Sequence, residues 1–339
     1  MIISSGSIPT ADLRQEERLR PKPALSIWLK LLGSSGQAYN RYKAMKISEI
    51  YKEKNKTLSF EIFPPKKDEE LRNIDATLSV LCELKPDFIS VTFGAGGSAN
   101  CNRTIEIARK IRHDYGIEPV VHLTCLHYDK SEIDEFAKAL EYEGIENILA
   151  LRGDGSADVP AKDVFRYSSD LISYLKEKHD FCFLGACYPE CHPESGDRIR
   201  DIKNLKKKTD AGAEVLLSQM CFDNDIFFKF SESCRIAGVE APVIPGIMPV
   251  IKASQIRRMV DMCGVAFPER FRRIIDRYEN NPDALFDAGM SYALSQVIDL
   301  IAGGAPGIHL YTMNKPKVAE RICEGLKNVY EAADRLKAC

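Results

Sequence analysis

The sequence predicts an α/β chain folded as a single (β/α)8 TIM barrel with a peripheral N-terminal extension. Two observations predict it. Short apolar runs rich in β-branched residues recur eight times between residues 57 and 312. Amphipathic helical patterns separate them at a step of roughly thirty residues, with a longer gap before the last run. Such alternation implies parallel pairing through right-handed crossovers. Eight units in about 290 residues suit a closed barrel. A doubly wound open sheet would place a Gly-rich phosphate loop after its first strand, where this chain has FPPKK.

In order, the strands are TLSFEIF (57–63), DFISVTF (87–93), EPVVHLT (118–124), NILALR (147–152), FCFLGACY (181–188), EVLLSQM (214–220), PVIPGI (242–247) and GIHLYT (307–312). Pro64 and Pro65 stop the first, because proline cannot donate to a ladder. GAGG (94–97) follows the second. Residues 75–84 and 162–176 read as helices, as does the stretch around 133–140. There Ile133, Phe136, Ala137 and Leu140 share one face and Gly144 follows as a C-terminal stop.

Residues 1–44 are turn-rich and lack sustained periodicity, so they are expected to form a poorly ordered extension, with the barrel domain spanning 45–339. Asp12, Glu16 and Glu17 argue against a mitochondrial transit peptide. The chain has 339 residues, 45% hydrophobic and 28% charged, with a net charge of −2. That balance points to neither nucleic acid nor a membrane surface. The longest apolar runs, 215–222 and 241–251, are too short to span a bilayer. Eleven scattered cysteines without a CxxC pair read as reduced thiols of a cytoplasmic protein. Cys182, Cys187, Cys191 and His192 match no zinc spacing, so no metal is expected.

Chemistry on a barrel sits at the C-terminal strand ends. There the strands offer Glu61, Thr92, His122, Arg152 with Asp154, Tyr188 with His192, Gln219, and Tyr311 with Lys315. Each alone has a bland reading: His122 as a core histidine, Arg152-Gly153-Asp154 as a surface turn, Lys206 to Lys208 as a solvated helix face. Seven polar ends at one rim form the pattern of a broad polar site. No strand supplies a metal-binding histidine pair or an inward lysine. Glu61 and Asp154 resemble a glycosidase pair, but the single tryptophan, Trp28, lies in the extension. The set suits a large phosphate-bearing cofactor and a second, planar ligand.

Nine ordered motifs carry a resemblance: LSFEIFPPK, VTFGAGG, HLTC, ALRGD, YPECHPE, DIKNLKKKTDAGA, LLSQMCFD, PGIMP and HLYTMNK. Across residues 55–330 the chain resembles the bacterial-type methylenetetrahydrofolate reductases. That resemblance implies a (β/α)8 flavoprotein that binds FAD at the strand C-termini. It reduces 5,10-methylenetetrahydrofolate to 5-methyltetrahydrofolate by ping-pong hydride transfer from NAD(P)H through flavin N5. The implied FAD contacts are Thr92, His122, Leu151, Arg152, Gly153, Asp154, Tyr167, Ser168, Ala186, Tyr188, His192, Asp201, Asn204 and Lys208. Asp201, Asn204 and Lys208, spaced i, i+3 and i+7, share a helix face. Arg152 and Lys208 suit the pyrophosphate.

By the same resemblance Glu61 is the general acid that protonates the departing folate nitrogen, which calls for a raised pKa. Asp154 stands by the flavin and pterin, Gln219 bonds folate, and Tyr311 and Lys315 line the second-ligand pocket. The chain departs from the family at Met220-Cys221, where aromatics are usual, at Lys315, where arginine is common, and at Met259. These departures leave the electron donor open between NADH, NADPH and a protein redox partner, and a homo-oligomer is also compatible. The family's eukaryotic regulatory domain has no counterpart in the sequence, so no control by a methyl-donor product is expected. A non-catalytic flavin- or folate-binding barrel subunit is the alternative; the trio Glu61, Asp154 and Gln219 favours the enzyme.

Overall fold

The computed structural model describes residues 44–65, 71–93, 98–155 and 160–335. The 1–44 extension, apart from Ala44, and the GAGG run lie outside the described residues. Eight parallel strands close into a barrel in sequence order. They are β1 (Thr57–Ile62), β2 (Phe88–Val91), β3 (Glu118–Thr124), β4 (Asn147–Leu151), β5 (Cys182–Cys187), β6 (Ala213–Met220), β7 (Val243–Ile247) and β8 (Gly307–Tyr311). Strand β1 pairs on both sides and sets the closure: Glu61 is in register with Ser90 on β2 and Tyr311 on β8. The predicted strands all form; β3 matches the sequence reading at both ends, and the ends of the others fall within two residues of it.

Alternation sorts the side chains. Phe60, Ile62, Ile89, Val91, Val121, Leu123, Ile148, Ile308 and Leu310 point outward into the main core beneath the helices. Phe88, Val120, Leu149, Cys182, Leu184, Val215, Leu217 and Ile244 fill the barrel interior. A short helix, α1 (Ile47–Glu53), plugs the N-terminal end with Ile47 and Ile50. The Asn147 amide fixes the plug: Ile47 N–H donates to its Oδ1 at 2.9 Å, and its Nδ2 donates to the Met45 carbonyl at 3.1 Å. The bottom is therefore closed by packing, and the opposite rim is left for chemistry.

The outer ring begins with α2 (Leu71–Glu83), α3 (Ser98–His113) and α4 (Lys130–Tyr142). Helix α4 starts in a reciprocal cap between Asp129 and Glu132 and stops at Gly144, whose φ of 65° suits glycine. Helix α5 (Ser168–Lys176) starts six residues later than the apolar pattern from Lys162 suggested. Asp170 Oδ2 accepts from both the Arg166 and Tyr167 N–H groups, which holds the preceding chain out of the helix. Then come α6 (Arg198–Ala211) and α7 (Asn224–Ile236). The long gap before β8 holds α8 (Ala253–Cys263), α9 (Glu269–Tyr278) and α10 (Pro282–Ala302); α11 (Pro316–Arg335) follows β8.

Helices α8 and α9 extend the wall over β6 and β7. Met220, Phe222, Met248, Val250, Ile256, Phe271, Ile275 and Leu285 form a separate buried cluster there. Phe271 stacks on Tyr292 with centroids 3.8 Å apart. Met259, singled out in the sequence, packs against this cluster.

Candidate active site

The first strand places Glu61 at the rim, in phase with Ser59, and the fold buries it to 8% exposure. Its carboxylate faces two imidazoles: Oε2 is 3.6 Å from His122 Nε2 on β3 and 3.8 Å from His309 Nε2 on β8. His122 Nε2 is buried and has no hydrogen-bond partner, so the carboxylate is its polar neighbour. Burial pushes the His122 imidazole down to about 4, and the opposing pull of Glu61 is smaller. The ring is therefore neutral at physiological pH.

His309 was not singled out in the sequence. Its phase with Tyr311, two residues on, was the signal available. Nδ1 lies 2.8 Å from Ser59 Oγ and Nε2 lies 3.2 Å from Ser90 Oγ. The ring stacks on Phe88 with centroids 5.8 Å apart. Tyr311 donates its hydroxyl to the Ser218 carbonyl at 2.7 Å, and burial pushes its phenol well above the ordinary range. That approach depends on Gly246: a Cβ there would lie 2.3 Å from Ser218 O and 2.7 Å from the Tyr311 ring.

A second group forms around β4, β5 and α6. Arg152 holds Glu194 with both guanidinium forks, and Glu194 is a further residue that the sequence reading passed over. Gly153 takes φ 88° and packs against Thr124. Asp154 is exposed on the loop, where its carbonyl accepts from His127 Nε2 at 2.9 Å. Tyr188 and His192 meet edge to face at 4.6 Å. Burial raises the tyrosine and lowers the histidine. Asp201 ties this loop to α6, accepting from His192 N–H at 3.2 Å and from Ser195 Oγ at 2.7 Å.

Lys208 reaches inward from α6. Its Nζ donates to the Ala186 carbonyl at 2.5 Å, and burial lowers its pKa. The Gly185 backbone makes room, because a Cβ there would sit 2.7 Å from Lys208 Cδ. Neighbouring Lys206 instead pairs with Asp210, and Asn204 is exposed. Thr92 is half-buried at the end of β2, and its carbonyl accepts from Thr104 Oγ1 at 3.2 Å. Leu151 is half-buried against the interior cluster. Ser168 is buried at the start of α5, while Tyr167 beside it is exposed. Gln219 Oε1 accepts from Met220 N–H at 2.9 Å. Lys315 is exposed beyond β8. Asn314, before it, grips Phe63 through two backbone bonds of 2.8 and 2.9 Å and ties the β8 loop to β1.

The donor set can be tested against FAD. One proton of the Lys208 ammonium is committed to Ala186, which leaves two for a ligand. Arg152 adds a second cation, whose Nη fork is held by Glu194 and would have to leave it to grip a phosphate, and the Tyr188–His192 pair adds a half-buried aromatic wall. The orphaned His122 Nε2 is a buried polar atom awaiting a partner at the same rim. Two cations, an aromatic wall and a buried polar orphan fit an anionic diphosphate joined to a planar ring system.

A family model described as Methylenetetrahydrofolate reductase matches residues 46–327. The chain is 35% identical over 269 residues to the 5,10-methylenetetrahydrofolate reductase of Pectobacterium carotovorum, covering 79% of this chain and 89% of that one. It is also 35% identical to the Escherichia coli enzyme of the same name, with 79% and 90% covered. Methylenetetrahydrofolate reductase (NADH) 1 of Arabidopsis thaliana is 32% identical over 302 residues, which are 85% of this chain and 51% of that one. The chain thus spans about half the length of the plant relative. A Clostridium thermocellum protein that binds two copies of 5-methyl-5,6,7,8-tetrahydrofolic acid shares the fold, with a TM-score of 0.59 at 14% identity over 85% of this chain and all of that one. The chain belongs to the methylenetetrahydrofolate reductase family.

Proposed function

We propose that the protein is a cytoplasmic, FAD-dependent enzyme that reduces 5,10-methylenetetrahydrofolate to 5-methyltetrahydrofolate at the expense of NADH or NADPH. The observation that carries this reading is a buried carboxylate, Glu61, at the C-terminal mouth of a family barrel, facing two imidazoles. Arg152 and Lys208 would hold the cofactor's diphosphate. Thr92, His122, Leu151, Gly153, Asp154, Tyr167, Ser168, Ala186, Tyr188, His192, Asp201 and Asn204 would frame the rest. Bound FAD supplies a two-electron hydride carrier that serves two substrates in turn.

Glu61 acts on the folate. The five-membered ring opens when the departing amine nitrogen takes a proton, and Glu61 supplies it from a setting shielded from water. Asp154 stands on the exposed loop after β4, where its carboxylate orients the pterin. Gln219 commits Oε1 to the Met220 N–H and would offer its amide N–H2 to folate. Tyr311 walls the pocket from a position fixed by Ser218 and Gly246. Lys315, exposed beyond β8, would line the second-ligand pocket with Tyr311.

Absorption spectroscopy of the purified protein tests this. The reading expects a flavin band that NADH or NADPH bleaches under anaerobic conditions and that methylenetetrahydrofolate restores. A colourless protein that cannot be reconstituted with FAD would contradict it, as would bleaching that folate never reverses.

A further inference from the structure

The backbone that carries Glu61 is held on its β8 side by side chains where the ladder stops. The β1–β8 register ends at Glu61 opposite Tyr311. On the other side β1 runs on, and the Ile62 carbonyl accepts from Thr92 N–H at 3.0 Å. After Thr312 the β8 chain turns away through two consecutive non-glycine residues in the left-handed region, Met313 at φ 52° and Asn314 at φ 53°. That conformation is unfavourable for methionine, and such strain gathers at functional sites. Here it sets two side chains against β1. Thr312 Oγ1 donates to the Glu61 main-chain carbonyl at 2.9 Å. Asn314 Oδ1 accepts from Phe63 N–H at 2.9 Å, and its Nδ2 donates to the Phe63 carbonyl at 2.8 Å.

The Asn314 amide thus pairs with both main-chain groups of one residue, as a neighbouring strand would. Only an amide side chain carries the donor and the acceptor this needs, and an amide turned end for end would set like against like at both contacts. Phe63 is the last point where β1 can be held, because Pro64 and Pro65 bring no N–H. The Glu61 carboxylate depends on that hold. The imidazoles beside it lie at 3.6 and 3.8 Å, beyond hydrogen-bond reach, so the strand sets where it stands. Resting on the acid role given to Glu61 above, we propose that Asn314 is a positioning residue for the folate half-reaction: its amide takes over the ladder where β8 ends and keeps the end of β1, and with it Glu61, within reach of the departing folate nitrogen. Its neighbours are held by other bonds. Lys315 N–H donates to the Thr312 carbonyl at 2.9 Å, the Lys315 carbonyl accepts from Val318 N–H at 3.0 Å, and Tyr311 rests on Ser218. Loss of the Asn314 amide therefore falls on Glu61 and spares the wall of the second-ligand pocket.

Asn314→Gly tests this, since glycine accepts φ 53° and removes both bonds. Flavin reoxidation by methylenetetrahydrofolate should slow about tenfold, because small misplacements of a reacting group are costly. Flavin reduction by the nicotinamide should stay within about twofold of wild type. Thr312→Val, which keeps the side-chain shape, should act in the same direction by less. In a Glu61→Gln background Asn314→Gly should cost nothing further, because it acts through Glu61. Unchanged reoxidation, equal slowing of both half-reactions, or losses that multiply in the double variant would overturn the proposal. Hydrogen exchange gives an arm that needs no turnover. In protein labelled with 15N-phenylalanine, with the Phe63 signal assigned by Phe63→Leu, the Phe63 amide should exchange about tenfold faster in Asn314→Gly than in wild type. The Phe60 amide, inside the ladder, should not change. Equal exchange at Phe63 in the two proteins would show that the clamp does not hold. If the wild-type protein never reduces folate, the functional reading fails, while the exchange result still decides the clamp.

Discussion

Arg152 and Glu194 meet fork to fork, Nη1 to Oε2 and Nη2 to Oε1, each at 2.6 Å. The bond to Glu194 raises the arginine further, and the bond to Arg152 holds the Glu194 carboxyl below its usual range. The glutamate side chain is 61% exposed, so solvent screens the pair and its stabilisation is about 0.2–1 kcal/mol. Because the folded pKa of Glu194 is depressed, that contribution is complete above the ordinary carboxylate pKa and fades as pH falls through the folded value. Glu194→Gln should therefore shift the urea midpoint only slightly at pH 7. Arg152→Lys, which keeps charge but loses the planar fork, should weaken FAD binding about tenfold by flavin-fluorescence titration.

Gly185 is predicted to matter through Lys208. The added methyl of Gly185→Ala would meet Lys208 Cδ at 2.7 Å and Leu216 at 3.2 Å. The lysine stem must move and break its bond to Ala186. FAD retention after gel filtration should drop, with a smaller effect on thermal stability. Retention equal to wild type would show that Lys208 holds no part of the cofactor.

Gly246→Ala should be costly to the fold itself. Its Cβ would press on the backbone oxygen of Ser218, which cannot swing away, and on the Tyr311 ring. Overpacking of this kind costs about 1–3 kcal/mol. Tyr311→Phe, by contrast, forfeits one hydrogen bond at about 1 kcal/mol. Urea unfolding at pH 7 would rank the two.

His122 gives the stability a pH signature. Its folded pKa of about 4 lies below the unfolded value near 6.5. The unfolded chain therefore binds the extra proton, and stability declines as pH falls from 6.5 toward 4. Between pH 7 and pH 5 the loss from this one ring is about 2 kcal/mol. His122→Gln should remove that share of the pH dependence in paired urea melts.

The barrel was legible because its signals are local. Each strand shows as a β-branched run, and its inward residues follow from alternation, which placed Glu61, Thr92 and His122 at one rim. The start of α5 was missed because Asp170 caps the chain from inside the helix, against an apolar pattern that begins at Lys162. Glu194 was missed for a different reason. Its role depends on a loop bringing it back to Arg152 across 42 residues, which no periodicity reports. His309 was accessible through its phase with Tyr311, but its meaning comes from Ser59, 250 positions away in sequence. The functional identity came from ordered motifs, since polar strand ends alone fix a broad site and not a substrate.

The central claim is that Glu61 delivers a proton to folate and takes no part in the nicotinamide step. Stopped-flow absorbance of Glu61→Gln separates the two half-reactions. The account predicts flavin reduction by NADH or NADPH within about twofold of wild type, and reoxidation by methylenetetrahydrofolate slowed by about a hundredfold or more. Reoxidation at the wild-type rate would contradict it.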